Sequence, residues 1–104
     1  MTTFDKREEG FEQRYAHDEE LRFKATARRN KLVGLWAAEK LGLTGQAAEQ
    51  YATELALSDF ARQDTKVVGK LRGDFDAKGL GVSEYQIRRK LDELMSLALA
   101  QLKA

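Results

Sequence analysis

Apolar residues recur at helical spacing along most of the chain, and the sequence contains no alternating pattern typical of strands. The clearest stripe lies near the C-terminus, at Ile87, Leu91, Leu94, Ala98 and Leu102, with Met95 alongside. Ser83 and Gln86 form a capping box before this stripe, and Val82 is placed to staple onto Ile87. We therefore predict a last helix that starts after Ser83 and runs to the chain end.

A first bundle helix is predicted from residue 18 to about residue 42. It begins with Asp18-Glu19-Glu20, acids that suit the positive end of a helix, and Asp18 or a nearby residue could cap it. Leu41-Gly42 supplies the stop. The apolar positions between these limits are Leu21, Ala25, Leu32, Leu35 and Trp36.

Two shorter helices are predicted between these elements. The second covers roughly 45 to 57 after a Thr44 cap, with Ala48, Tyr51, Ala52 and Leu55 on one face. The third covers about 59 to 78 and starts at Ser58 or Asp59. Its predicted buried side comprises Phe60, Val67, Val68, Leu71 and Phe75. Gly79-Leu80-Gly81 is predicted to be the turn before the last helix.

Residues 1–17, called the N-terminal segment below, have a different pattern. At about 100° per residue, Phe4, Phe11 and Tyr15 fall within a narrow arc of a helix, and charged residues edge that arc. One large apolar group per turn is too little to anchor a core, and Gly10 weakens the helix further. We predict a segment that is flexible alone and becomes a helix in the groove of a partner. The alternative is an ordinary solvated terminus.

Length and composition limit the fold. The chain has 104 residues, of which 42% are hydrophobic and 34% are charged, with no proline. These values leave room for one small domain with one core. The predicted fold is all-α: an antiparallel four-helix bundle over residues 18–104, preceded by the flexible N-terminal segment.

Several function classes lack the residues they need. A net charge of +1 is too small for a dominating nucleic-acid field, and no apolar run is long enough to span a membrane. Without cysteine and with one histidine, the chain offers no thiolate zinc site and no histidine cluster. The carboxylates are not spaced with a nucleophile or metal set. We therefore expect no catalytic, cofactor or metal residues. The opening residues lack a signal peptide, which favours a cytoplasmic location.

The most basic run contains Arg22, Lys24, Arg28, Arg29 and Lys31. Three interpretations are open: a solvated face that pairs with neighbouring acids, a docking surface for an acidic partner, or a nucleic-acid site. The last needs more positive charge and more stacking groups than the run offers.

Two resemblances bear on function. The pattern Phe4-x-Lys6-Arg7-Glu8-x-x-x-Glu12-x-Arg14-Tyr15 resembles the inhibitory segment of the mitochondrial ATPase inhibitor protein, although Phe11 stands where that pattern has an acid. Over nearly the whole chain, the sequence resembles the zeta subunit of bacterial F-type ATP synthases of the alphaproteobacterial type. The segments that carry this second resemblance are Ala16-His17-Asp18, Lys24-Ala25, Ala27-Arg28-Arg29-Asn30, Leu35-Trp36-Ala37-Ala38-Glu39, Asp74-Phe75-Asp76, Ile87-Arg88-Arg89 and Asp92-Glu93-Leu94.

The resemblance implies an inhibitor of the F-type ATPase rather than an enzyme. Its N-terminal segment would enter a catalytic interface between alpha and beta subunits and reach toward the gamma subunit, on an ATP synthase of the inner membrane. The residues expected to bind these partners are Phe4, Arg7, Glu8, Phe11, Glu12, Arg14 and Tyr15. The free protein is expected to be a monomer without a cofactor, although weak adenine-nucleotide binding by the basic run is conceivable. The alternative function is a non-enzymatic adaptor or nucleotide-responsive binding module.

Overall fold

The computed structural model of the chain describes the backbone of residues 2–103 and the side chains of residues 18–103. It contains four helices, α1 (Thr2–Lys40), α2 (Gly45–Leu57), α3 (Asp64–Ala77) and α4 (Glu84–Lys103). Across residues 2–103 there is no strand. The predicted all-α fold with four helices is confirmed.

Contacts along α1 give the direction of α4. Arg28, in the first half of α1, donates a hydrogen bond to Gln101 near the end of α4. Further along α1, the ring of Trp36 lies 5.8 Å from the Lys90 ammonium, near the start of α4. The two helices therefore run antiparallel.

The other two helices complete an up-down-up-down arrangement. Gly34 of α1 lies directly against Ala52 of α2. Asn30, one turn earlier in α1, lines the same depression as Leu57 at the end of α2, so α2 runs antiparallel to α1. Helix α3 runs in the same direction as α1, since Asp64 at its start lies beside Arg29 and Phe75 near its end lies beside Trp36. This alternation is what short connections between successive helices produce.

The core is formed by one apolar stripe from each helix. Its buried members are Val33, Ala37, Leu55, Val67, Val68, Leu71, Phe75, Ile87, Leu91 and Leu94. Phe75 is fully buried and meets Trp36 edge to face, with ring centroids 5.6 Å apart and an interplanar angle of 84°. The buried positions predicted for α4 are confirmed at Ile87, Leu91, Leu94 and Ala98.

The predicted boundaries of α4 rest on side-chain and backbone contacts. The Ser83 backbone N–H donates to Gln86 Oε1 at 2.9 Å, and the Gln86 N–H donates to Ser83 Oγ at 3.1 Å, which is the reciprocal capping box. Before it, Gly79 adopts φ 67° and ends α3, while the Leu80 N–H donates to the Phe75 carbonyl at 3.0 Å. A left-handed residue followed by this bond is the Schellman ending, so the predicted turn is confirmed.

The predicted start of α3 at about residue 59 is wrong, because residues 58–63 form turns and the helix begins at Asp64. The Ala61 carbonyl accepts a hydrogen bond from Asn30 Nδ2 at 2.6 Å instead of supporting a helical turn. Phe60, predicted to be buried, is only partly so. A tertiary contact with α1 thus overrides the local helical pattern.

The first predicted helix ends near Lys40, close to the expected stop, but its start differs. Helix α1 is continuous from Thr2 and includes the backbone of the N-terminal segment, whereas the sequence predicted a boundary at residue 18. The division into an N-terminal segment that folds on binding and a bundle over residues 18–104 stays a prediction.

Candidate partner-binding site at the start of the bundle

Helix α1 enters the bundle in the region of Leu21 to Ala25. Asp18, Glu19 and Glu20 are exposed, Leu21 is half-buried, and Ala25 is the first fully buried side chain among those described. Because α4 ends at Lys103 and Gln101 already meets Arg28, the packing of α4 on α1 begins in this same region. The N-terminal segment therefore joins the bundle at one end of it.

All seven residues predicted to bind a partner lie outside the residues whose side chains the structure describes. These are Phe4, Arg7, Glu8, Phe11, Glu12, Arg14 and Tyr15. Their roles stay predictions. What the structure adds is the surface next to them, built by the start of α1, the turn between α2 and α3, and the end of α4.

Arg29 lies buried beneath this surface. The prediction of a solvated face for the basic run is wrong at Arg29, because its side chain is only 4% exposed. Its Nη2 and Nη1 atoms donate to the two carboxylate oxygens of Asp64 at 2.8 and 3.2 Å. Nε and Nη2 also donate to Asn30 Oδ1 at 3.1 and 2.8 Å. Two-pronged pairing of this kind fixes orientation as well as position.

The Arg29-Asn30 pair connects α1 to the following turn. Asn30 is fully buried; it accepts from Arg29 and donates to the Ala61 carbonyl, so both ends of its amide are bonded. Arg29 holds Asp64, the first residue of α3. Neighbouring residues on one helix thereby fix both the turn at residues 58–63 and the start of the next helix. Only the adjacent Arg-Asn pair in the sequence hinted at this connection.

Replacing Arg29 with methionine should lower the free energy of unfolding by about 1 to 1.5 kcal/mol. The change keeps the apolar stem but leaves the buried Asn30 oxygen without its donor, and such unsatisfied groups cost about 1 to 3 kcal/mol. Loss of the ion pair between Arg29 and Asp64 adds little to this destabilisation, because Asp64 is 53% exposed and its carboxylate can be solvated by water. Urea unfolding followed by circular dichroism measures the loss.

Lys24→Met is the matched control. Lys24 pairs with Glu20 at 3.2 Å, but both side chains are about 60% exposed, at 59% and 62%. Its unfolding midpoint should stay close to that of the original protein. Equal losses for Lys24→Met and Arg29→Met would show that Arg29 contributes as a surface charge and not as a buried connector.

The rest of the basic run is mainly paired within the bundle. Lys24 and Lys31 form ion pairs with Glu20 and Glu49, and Arg28 bonds to Gln101. This pattern supports the interpretation of a solvated face that pairs with neighbouring acids. It leaves Arg22 as the exposed cation nearest the N-terminal segment.

An open groove lies beside Arg29, between α1, the turn and the end of α4. Its apolar lining includes Leu21, Phe23, Met95 and Leu99. Phe23 is 52% exposed, and the guanidinium carbon of Arg62 lies 4.0 Å from its ring centroid. Leu57, at the end of α2, is 79% exposed and lines the same shallow depression as Phe23 and Arg62. Adjoining apolar groups exposed to this extent are candidates for contact with a partner.

A polar contact on the opposite side of the core joins α2 to α3. The Tyr51 hydroxyl donates to Asp74 Oδ2 at 2.6 Å, and Lys70 donates to the same oxygen at 3.0 Å. Burial, followed by the hydrogen bond to Asp74 and its negative charge, raises the pKa of Tyr51 far above the usual range. The phenol therefore stays protonated. Within the Asp74-Phe75-Asp76 motif, Asp74 thus joins α3 to α2, and Phe75 packs in the core beside Trp36.

The described part of the chain contains neither a metal-binding cluster nor a helix suited to span a membrane. Among the side chains of residues 18–103, no three His, Cys, Asp or Glu residues are arranged to hold a metal ion. Within the same part of the chain, no helix combines the length and the apolar character that crossing a membrane requires.

These features define a small all-α protein whose first helix extends from the N-terminal segment into a bundle. A family model described as "ATPase inhibitor subunit zeta" matches residues 1–101. The chain belongs to this family. Among curated proteins, none is similar enough in sequence to be counted as a relative. Membership makes the protein an ATPase inhibitor subunit and implies association with an ATP synthase.

Proposed function

We propose that the protein blocks ATP hydrolysis by inserting its N-terminal segment, as a helix, into an interface between the alpha and beta subunits of the F-type ATP synthase. The observation that carries this proposal is the family match, which includes the N-terminal segment as well as the bundle. The protein would act from the cytoplasmic side, attached to the enzyme and not inserted in the membrane. Contact with the gamma subunit would then stop rotation.

The register of α1 supports a role for the aromatic stripe. In an ideal helix with about 100° per residue, positions 4, 11 and 15 of the aromatic stripe fall on the same face as Ala25 and Val33. Ala25 and Val33 are fully buried by the other helices of the bundle. A partner that covered the aromatic stripe would thus continue, along α1, the packing that the bundle provides further on.

Each class of side chain in the segment has a distinct task in this mechanism. Burial of Phe4 at the leading end contributes roughly 2 to 3 kcal/mol. Tyr15 would close the entrance, with its ring buried and its hydroxyl in water. The charged residues beside the stripe would form charge-assisted hydrogen bonds in the cleft; they are Arg7, Glu8, Glu12 and Arg14. Phe11 adds apolar area between the two ends.

The register also predicts which substitutions matter. Glu12→Ala and Tyr15→Ala should each raise the concentration for half-maximal inhibition at least about tenfold, equivalent to about 1.4 kcal/mol. Removing a charge paired in a desolvated cleft leaves its partner unsatisfied, and removing Tyr15 uncovers the entrance. The measurement is ATP hydrolysis by the organism's own ATPase at increasing inhibitor concentration.

Glu9→Ala and Gln13→Ala are the matched controls, because residues 9 and 13 project on the opposite side of the helix from the stripe. Both should inhibit like the original protein. All four variants should keep the helical circular dichroism of the bundle, which separates lost contacts from misfolding. Equal effects at all four positions would mean that the segment binds by diffuse charge, and insertion as an ordered helix would be rejected.

A further inference from the structure

The bundle carries a second exposed feature next to the N-terminal segment, which we call the end patch: Phe23, Leu57 and Arg62. Phe23 and Leu57 are 52% and 79% exposed, although both are large and apolar. The Arg62 guanidinium lies over the Phe23 ring, and all three side chains line the same shallow depression. The three side chains come from α1, the end of α2 and the turn that follows it.

Arg62 can still bind a carboxylate. Among the described side chains, none of the ion pairs involves it, and its side chain is exposed although it contacts the Phe23 ring. An arginine that contacts an aromatic face can still donate hydrogen bonds to a carboxylate. The patch therefore combines apolar area with an available positive charge.

The patch is held in place by the buried network beneath it. Asn30 fixes the Ala61 carbonyl, next to Arg62, and Arg29 fixes Asp64, two residues further on. Because these contacts hold the turn on both sides of Arg62, the backbone of the turn has little conformational freedom to lose when a partner binds. Preorganised surfaces of this kind bind more tightly for the same area.

We propose that the end patch is the docking surface by which the bundle binds the outer rim of the ATPase cleft that receives the N-terminal segment. This inference rests on the proposed function. Phe23 follows Tyr15 by eight residues, about 12 Å along a helix. A partner that encloses Tyr15 therefore lies next to the end of the bundle, and the patch is at that end.

The chemistry of the patch specifies the partner surface. Leu57 and Phe23 require an apolar area on the rim, and Arg62 requires a carboxylate at its edge. Arg22, exposed on the same part of α1, adds a second positive charge toward the segment. The surface of the ATPase that receives the end patch is therefore an apolar area bordered by Asp or Glu side chains. Docking there sets how far the N-terminal segment can enter.

The apolar part of the proposal is tested with the full-length chain carrying Phe23→Gln and Leu57→Gln. We expect about a tenfold rise in the concentration for half-maximal inhibition, mainly through faster dissociation. The control carries Leu80→Gln and Tyr85→Gln, which remove two apolar side chains, 41% and 68% exposed, on and after the turn between α3 and α4. The control should inhibit normally. Equal inhibition by both double variants would overturn the proposal.

The charged part is tested with Arg62→Glu against Arg89→Glu, which change the net charge equally at two exposed arginines. Arg62→Glu should weaken inhibition about tenfold and Arg89→Glu should not. Leu57→Gln alone serves if the double variant loses its helical circular dichroism, since Leu57 is the most exposed large apolar residue described. Equal effects of the two charge changes would show that Arg62 acts only through its net charge, and the proposed docking surface would be rejected.

Failure of this inference can be told apart from failure of the proposed function. If the original protein inhibits, Glu12→Ala weakens inhibition and every end-patch variant inhibits normally, only the docking role of the end patch is rejected. If the original protein inhibits equally well with Glu12→Ala and Tyr15→Ala, insertion of the segment is rejected, whatever the patch variants do.

Discussion

A chain that lacks residues 1–17 is expected to fold normally and to have lost inhibition of ATP hydrolysis. The bundle is expected to fold without these residues, because its described core cluster consists of side chains from Val33 onward. Inhibition depends on them, because the cleft is proposed to enclose the aromatic stripe. Thermal unfolding and an ATP hydrolysis assay, carried out on the same preparation, measure the two results.

The control is a full-length chain in which residues 1–17 have the same composition in a different order. The order is chosen so that the three aromatic residues no longer share one face of the helix. Length and charge stay the same, and only the register is lost. The shuffled chain should be as inactive as the truncated one. If the truncated chain inhibits at a similar concentration, the inhibitory surface lies in the bundle, and the end patch and the run from Arg22 to Lys31 become the regions to test.

Periodicity predicted the parts of the fold that depend on local patterns. The capping box at Ser83 and Gln86 fixed the start of α4 because both of its hydrogen bonds are made within four residues of chain. The limits of α2 at Gly45 and Leu57 were likewise predicted, although Thr44 makes no side-chain cap there. Such signals need no knowledge of tertiary contacts.

Features that depend on contacts between distant residues were missed. The start of α3 is set by Asn30, which is 31 residues earlier than the carbonyl it binds. Arg29 looked like its basic neighbours, since burial of an arginine depends on an acid placed 35 residues away. The end patch was not predicted either: Phe23 and Leu57 lie outside the apolar stripes predicted for α1 and α2, and only the assembled bundle brings them together beside Arg62.

Gly34→Ala should destabilise the bundle by about 2 kcal/mol, although alanine is the better helix former. An added Cβ at position 34 would lie 2.6 Å from the Ala52 Cα and 3.0 Å from the Ala52 Cβ. Because the nearer atom is backbone, α1 and α2 would have to move apart, and overpacking of this kind costs about 1 to 3 kcal/mol. The gain of up to about 1 kcal/mol in helix propensity offsets only part of a cost near the upper end of that range or somewhat above it.

Gly73→Ala is the control, because Gly73 also lies within a helix and an added Cβ there meets nothing within 4 Å. It should leave stability unchanged or raise it by up to about 1 kcal/mol. Urea unfolding should therefore give midpoints on opposite sides of the original value, or one lowered and one unchanged, with similar slopes. A loss at both positions would show that the cost arises within a single helix, and a loss at neither would mean that α1 and α2 do not approach as closely as Gly34 and Ala52 indicate.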